Sequence, residues 1–177
     1  MNIYKGRPDD ISGRLEKEIR IYDLLDGLSI EYERVDHEAA ETMEACQDID
    51  EALGMMICKN LFLRNTQKTR FYLLCMPGDK KFKTKDLSAQ INSARLSFAE
   101  PEFMEKYLDI LPGSVSIMGL ANDKLGQVQL IIDEDLMTEK SWGCHPCVNT
   151  STIKLATSDV IDVFLKHIGH EPIYVRL

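Results

Sequence analysis

The sequence predicts a single-domain α+β fold, and three observations carry that reading. Helical-period and strand-like segments are mixed along the chain, and several strand-like runs follow one another with no helix between them. No glycine-rich phosphate loop sits at a strand–helix junction, so a regular nucleotide-binding layering is not indicated. At 177 residues the chain fits one domain, residues 1–177, with a core that needs neither disulfides nor a structural metal.

Residues 14–27 carry Leu15, Ile19, Tyr22 and Leu25 near helical spacing, with Ser12 as candidate N-cap and Gly27 as the stop. Residues 30–35 alternate with period two and predict a half-buried strand. A helix is expected from Thr42 to about Gly54, with Glu41, Glu44 and Asp48 near its first turns, where acidic groups suit the dipole. Met55 to Leu63 and Phe71 to Met76 read as two apolar strands, and Pro77-Gly78-Asp79 as a turn. A short helix is expected over 85–92, a strand over 96–99, and a helix through Leu108 with Pro101 in its first turn. Beyond the apolar run 115–120, strands are expected at 127–132 and 152–155, Gly143 to Pro146 forms a loop, and Ser158 opens a final helix through Ile168.

Composition removes several classes. No window approaches 18 uncharged apolar residues, and Met1 to Lys5 does not lead into a signal-peptide core, so the expectation is a cytoplasmic protein with no membrane partner. The five cysteines form an odd set suited to a reducing compartment. Cys144 and Cys147 make a C-x-x-C pair, but strand-like sequence follows, whereas thiol redox chemistry wants a helix N-terminus there. The pair also lacks a second half-site for zinc, so neither a metal nor a cofactor is expected. There is no G-x-S-x-G elbow.

The net charge of −8 disfavours indiscriminate polyanion binding, yet it is unevenly spread. Between residues 64 and 85 lie seven basic residues (Arg64, Lys68, Arg70, Lys80, Lys81, Lys83 and Lys85) and one acid, Asp79. Either this is a local phosphate-attracting face or it is a solvated hairpin rim. Lys59 and Asn60 are the other anomaly, a cation and an amide inside an apolar strand. An inward lysine costs several kcal/mol without a partner or an anionic ligand, whereas an outward one costs little. Inward, its fixed charge would suit an ester carbonyl or a phosphate.

Residues 56–63, Met-Ile-Cys-Lys-Asn-Leu-Phe-Leu, and 143–150, Gly-Cys-His-Pro-Cys-Val-Asn-Thr, together with Leu111-Pro112-Gly113-Ser114-Val115 and Gly119-Leu120-Ala121-Asn122-Asp123, complete a pattern. Over roughly residues 15–175 the chain resembles the freestanding prolyl-tRNA editing proteins of the YbaK superfamily, especially the branch that clears alanine from proline tRNA. The resemblance implies a mixed, strongly curved sheet flanked by helices and hydrolysis of an aminoacyl ester by water, without a catalytic metal. It implies Lys59 and His145 as catalytic residues, and Asn60, Gly143, Pro146, Asn149, Gly113 and Ser114 as substrate-binding ones. The basic residues between 64 and 85 become candidate tRNA contacts. The implied partner is the acceptor end of mischarged proline tRNA, and prolyl-tRNA synthetase and elongation factor are candidates for association. This chain departs from the common Thr-Pro-Phe or Thr-Pro-Leu form after Pro112-Gly113, reading Ser116-Ile117-Met118. Two other readings stand beside the deacylase: a relative that binds tRNA or a synthetase without turnover, and an aminoacyl-ester hydrolase of small molecules.

Overall fold

Two sheets, not one, organise the described residues. The computed structural model describes residues 1–39, 43–55 and 58–177, and for 43–45 the backbone alone. The first sheet is antiparallel, in the order β1 (Ile3–Lys5), β2 (Tyr32–Asp36), β8 (Ser151–Ala156), β7 (Ser141–Cys144). The second is mixed, in the order β5 (Leu96–Phe98), β3 (Cys58–Asn65), β4 (Phe71–Pro77), β6 (Val128–Asp133), β9 (Ile173–Val175). Within it β5, β3 and β4 run antiparallel, whereas β6 and β9 join in parallel. The helices are α1 (Glu16–Gly27), α2 (Met43–Leu53), α3 (Thr84–Gln90), α4 (Pro101–Leu108) and α5 (Leu165–Ile168), the last entered through a π-helical turn over Asp159–Phe164. The α+β expectation therefore holds, with strand and helix types mostly where periodicity put them.

The continuous apolar run of β4 follows from burial on both faces. Phe71, Leu73 and Cys75 enter the main core, which Ile153, Leu155 and Trp142 of the first sheet and Tyr22 and Leu25 of α1 share. Tyr72, Leu74 and Met76 enter a second core with Leu63, Leu87 of α3 and Leu96. The pleat of β3 divides the same way, sending Phe62 to the main core and Leu61 and Leu63 to the second. A third small cluster, Val35, Ile49 and Leu53 with Met55, anchors α2 to β2. At about 25 cal/mol per Å² of apolar surface, each such side chain contributes roughly 1.5–3 kcal/mol.

Several boundaries and faces differ from the expectation. Residue 15, not Ser12, occupies the N-cap position of α1, because Gly13 turns the chain with a φ of +77° just before it. Leu15 itself is exposed, and Glu18 lies buried on the helix face instead. Its carboxylate is satisfied there by Arg14 at 2.6 Å and the Tyr22 hydroxyl at 2.8 Å. Gly143 and Cys144 complete β7 rather than a loop. The run 115–120 turns into a 3-10 helix from Ile117 to Asn122, capped by the Ser116 hydroxyl at 3.1 Å from the Met118 N–H. Strands β1 and β9 are three residues each and too short to give a periodic signal. The expected helix start at Thr42, with Glu41, and the strand positions Met56 and Ile57 lie outside the described residues, as does the Glu44 side chain.

Candidate active site

A small cavity, about 70 Å³, opens where the two sheets and α2 meet. Asn60 of β3, Gly143 and Cys144 of β7, His145 just beyond, Thr152 of β8, and Cys46, Ile49 and Asp50 of α2 contribute to its wall. Among the residues expected from sequence, Asn60, Gly143 and His145 are thus brought together.

Lys59 is placed elsewhere. Being one residue from Asn60 on a pleated strand, it faces the second core's side, where its Nζ donates to the Lys80 carbonyl at 2.7 Å. The hollow it lines also holds Phe82, Lys83, Lys85 and Phe98. Neither sequence alternative describes it fully: it is half-buried and satisfied by a backbone carbonyl rather than by a carboxylate.

The imidazole of His145 is fixed. Its Nδ1 lies 2.9 Å from the Ser151 carbonyl, an acceptor only, so Nδ1 carries the hydrogen and Nε2 keeps its lone pair. Desolvation lowers the pKa from its ordinary value of 6.5, the Ser151 carbonyl opposes that, and the neighbouring His37 adds to the lowering. The ring is therefore neutral around pH 7. His37 extends the array: its Nδ1 donates to the Glu38 carbonyl at 2.8 Å, leaving Nε2 to accept from the Thr152 hydroxyl at 2.9 Å. The two rings stand 6.2 Å apart. Asn60 is loosely held, its Nδ2 recorded only 3.4 Å from the Cys58 carbonyl, so a closer acceptor in the cavity would capture it.

Asp50 is the residue that sequence reasoning missed. Desolvation alone raises its pKa from 3.8 to about 6, and among the described residues it has no ion-pair partner. The signal was present: an acid four residues after Cys46 interrupts the apolar face of α2 that Ile49 and Leu53 continue. The thiols offer less. Burial pushes Cys58 up to about 12 and Cys144 higher still, so both remain protonated and weakly nucleophilic.

Other expected residues lie outside this wall. Gly113 has a φ of +88° and stands beside Asn149, 3.6 Å from the Asn149 amide nitrogen to where a Cβ would be. Ser114 and Pro146 are buried, and the divergent Ser116, Ile117 and Met118 pack inside the fold rather than against the cavity. The seven basic residues divide. Arg64 is forked onto Glu100 at 2.7 and 2.6 Å, Lys68 reaches the same carboxylate at 3.0 Å, and Lys80 is held by Asp133 and Asp135. Arg64 and Lys68 hold the Glu100 carboxyl well below the usual range. For Arg70, Lys81, Lys83 and Lys85 no ion pair is recorded among the described residues.

Gly143 allows close packing over the cavity. A Cβ at this position would overlap the Sδ and Cε of Met55. Because only the flexible end of the half-buried Met55 has to shift, Gly143→Ala is expected to cost no more than about 1 kcal/mol. Chemical denaturation measures this; a loss of about 3 kcal/mol would show that Met55 cannot move aside.

The family model for the aminoacyl-tRNA editing domain matches residues 37–163. The chain is 35% identical over 136 residues to the prolyl-tRNA editing protein ProX of Acetoanaerobium sticklandii, covering 77% of this chain and 83% of that one. It is 30% identical over 157 residues to the prolyl-tRNA synthetase associated domain-containing protein 1 of Mus musculus, covering 86% and 91%. Its fold matches the crystal structure of a protein described as a candidate trans-editing enzyme for prolyl tRNA synthetase, with a TM-score of 0.67 at 15% identity over 92% of this chain and 98% of that one.

Proposed function

We infer that this chain, which belongs to the aminoacyl-tRNA editing domain family, hydrolyses the ester of mischarged proline tRNA, with alanine as the preferred aminoacyl group. The observation that carries the reading is the joining of Asn60, Gly143 and a neutral, oriented His145 around one small cavity. A cavity of about 70 Å³ favours a methyl side chain over a pyrrolidine ring, although size alone gives only about 1–3 kcal/mol per methylene.

In this reading the aminoacyl group enters the cavity and Asn60 Nδ2 leaves its long contact with Cys58 to donate to the ester carbonyl. Water adds to the carbonyl carbon, and the oxyanion that forms is stabilised by that donor and by backbone N–H groups near Gly143. Collapse breaks the acyl–oxygen bond and the ribose oxygen leaves with a proton. With Nδ1 engaged by the Ser151 carbonyl, Nε2 of His145 accepts a hydrogen bond from the water or from a ribose hydroxyl in this reading. Lys59, across the strand, serves the nucleotide side of the substrate rather than the acyl side. Asp50 receives the α-ammonium of the amino acid, which supplies the missing cation. The name of the vertebrate relative supports a prolyl-tRNA synthetase as an associate; for elongation factor there is no comparable support.

The test is deacylation of proline tRNA charged with alanine, serine, cysteine or proline. Release of alanine fastest, with prolyl-tRNA spared, is the expected result; no release from any of them would leave a binding protein without turnover. Asp50→Asn adds a separate prediction. Because its pKa is raised from 3.8 to about 6, its carboxyl favours the fold when protonated, and that contribution fades as pH rises through 6. Asp50→Asn should therefore melt a few degrees higher than wild type at pH 8 and equally at pH 4, while losing on the order of tenfold in kcat/KM. A variant that keeps full kcat/KM would remove Asp50 from substrate recognition.

A further inference from the structure

The hollow on the Lys59 side of β3 is unlike the acyl cavity behind Asn60. It is a shallow hollow open to solvent, and Lys59, Phe82, Lys83, Lys85 and Phe98 supply its character. Phe98 is 59% exposed and meets Phe82 edge-on, with ring centroids 6.1 Å apart. Lys83 and Lys85 are exposed and have no ion pair among the described residues, in a chain whose net charge is −8. An open aromatic face beside unpaired lysines matches a ligand with a flat π surface and a negative backbone, which is the chemistry of a single-stranded nucleic acid. The position of the hollow gives that ligand a direction. β5 pairs with β3 only at Leu63–Asn65, so along Cys58 to Leu61 that edge of β3 has no strand partner among the described residues. A substrate laid over this edge reaches both faces of the strand, and consecutive residues Lys59 and Asn60 line the two hollows.

We propose that this hollow holds the unpaired 3′ end of tRNA, with a base stacked on Phe98 and with Lys83 and Lys85 on the neighbouring phosphates, while the aminoacyl group crosses the edge of β3 into the Asn60–His145 cavity. The direction of the ester rests on the deacylase reading; the nucleotide site does not require turnover. Fluorescence anisotropy with a labelled single-stranded RNA ending in CCA tests it on the intact chain. Phe98→Ala should weaken binding on the order of tenfold, and Phe98→Tyr should restore it, because stacking needs only an aromatic face. The Lys83→Ala, Lys85→Ala double variant should lower the slope of log affinity against log salt by about 1.4, two phosphate contacts to a single strand. Wild-type affinity in Phe98→Ala, or no RNA binding by wild type, would overturn the proposal, the latter pointing to a protein surface instead. Binding that depends on Phe98 in a chain that releases no amino acid would sink the deacylase reading and keep this one.

Discussion

His145→Ala is expected to lower kcat for deacylation on the order of 100-fold, with little change in melting temperature. The ring is held through Nδ1, by the Ser151 carbonyl at 2.9 Å and more loosely by the Thr152 hydroxyl at 3.4 Å, and Nε2 has no partner among the described residues, an arrangement that orients without strongly stabilising. The pH profile supplies the second readout. Desolvation holds its pKa below 6.5, so protonation removes the Nε2 lone pair only on the acid side, and wild-type kcat should stay level through neutral pH and fall below about pH 6.5. Asp50, with a pKa of about 6, titrates in the same region. The profile of Asp50→Asn therefore isolates the histidine: the acid limb should persist there and vanish when His145→Ala is added in that background. Full kcat in His145→Ala would reduce the histidine to a wall of the cavity. Lys59→Ala, in contrast, should act mainly through KM, since the residue lines the hollow on the opposite face of β3 from the Asn60–His145 cavity.

Asp123→Ala should produce the largest loss of stability. The Asp123 carboxylate is buried and accepts the backbone N–H groups of Gln127 and Val128 at 2.9 and 2.8 Å and His170 Nε2 at 3.0 Å. It ties the start of β6 to the end of α5, and truncation leaves three groups without their acceptor. Two of these, the Val128 N–H and His170 Nε2, are buried, and at roughly 1–3 kcal/mol for each the loss is about 2 kcal/mol or more, on the order of 5 °C or more in melting temperature. His170→Ala in the same background should cost little further, because its partner is already gone. Thermal melts of the two single variants and the double variant decide this; strictly additive losses would show that the two side chains act independently. The motif Gly119 to Asp123, part of the family resemblance, thus has a structural role at Asp123 that a sequence pattern does not distinguish from a catalytic one.

Element types were legible wherever one period dominated, as in α1 and the paired residues of β2. Burial on both faces explains why β4 reads as an unbroken apolar run, and why the number of sheets was not legible: a run buried on two sides does not say which sheet lies on each. The partition of the candidate site was also hidden. Lys59 and Asn60 look like one unit in sequence, yet the strand period of two sets them on opposite faces. Asp50 and Met55 reach the cavity through the packing of α2 on Val35, a tertiary contact with no local signature. The basic stretch between 64 and 85 was visible as charge, but its division depended on Glu100, Asp133 and Asp135, which lie well outside it.

The alternation along β3 makes the strand a partition one residue thick between two chemically different rooms. Its two-sidedness is encoded by parity alone, so a single-residue insertion or deletion between the Asn65–Arg70 turn and Asn60 would exchange the rooms, sending the cation toward the acyl cavity and the amide toward the lysines. Substitution at either position is a graded change that can be tolerated or compensated. A shift of frame in this strand would change the linings of both hollows at once.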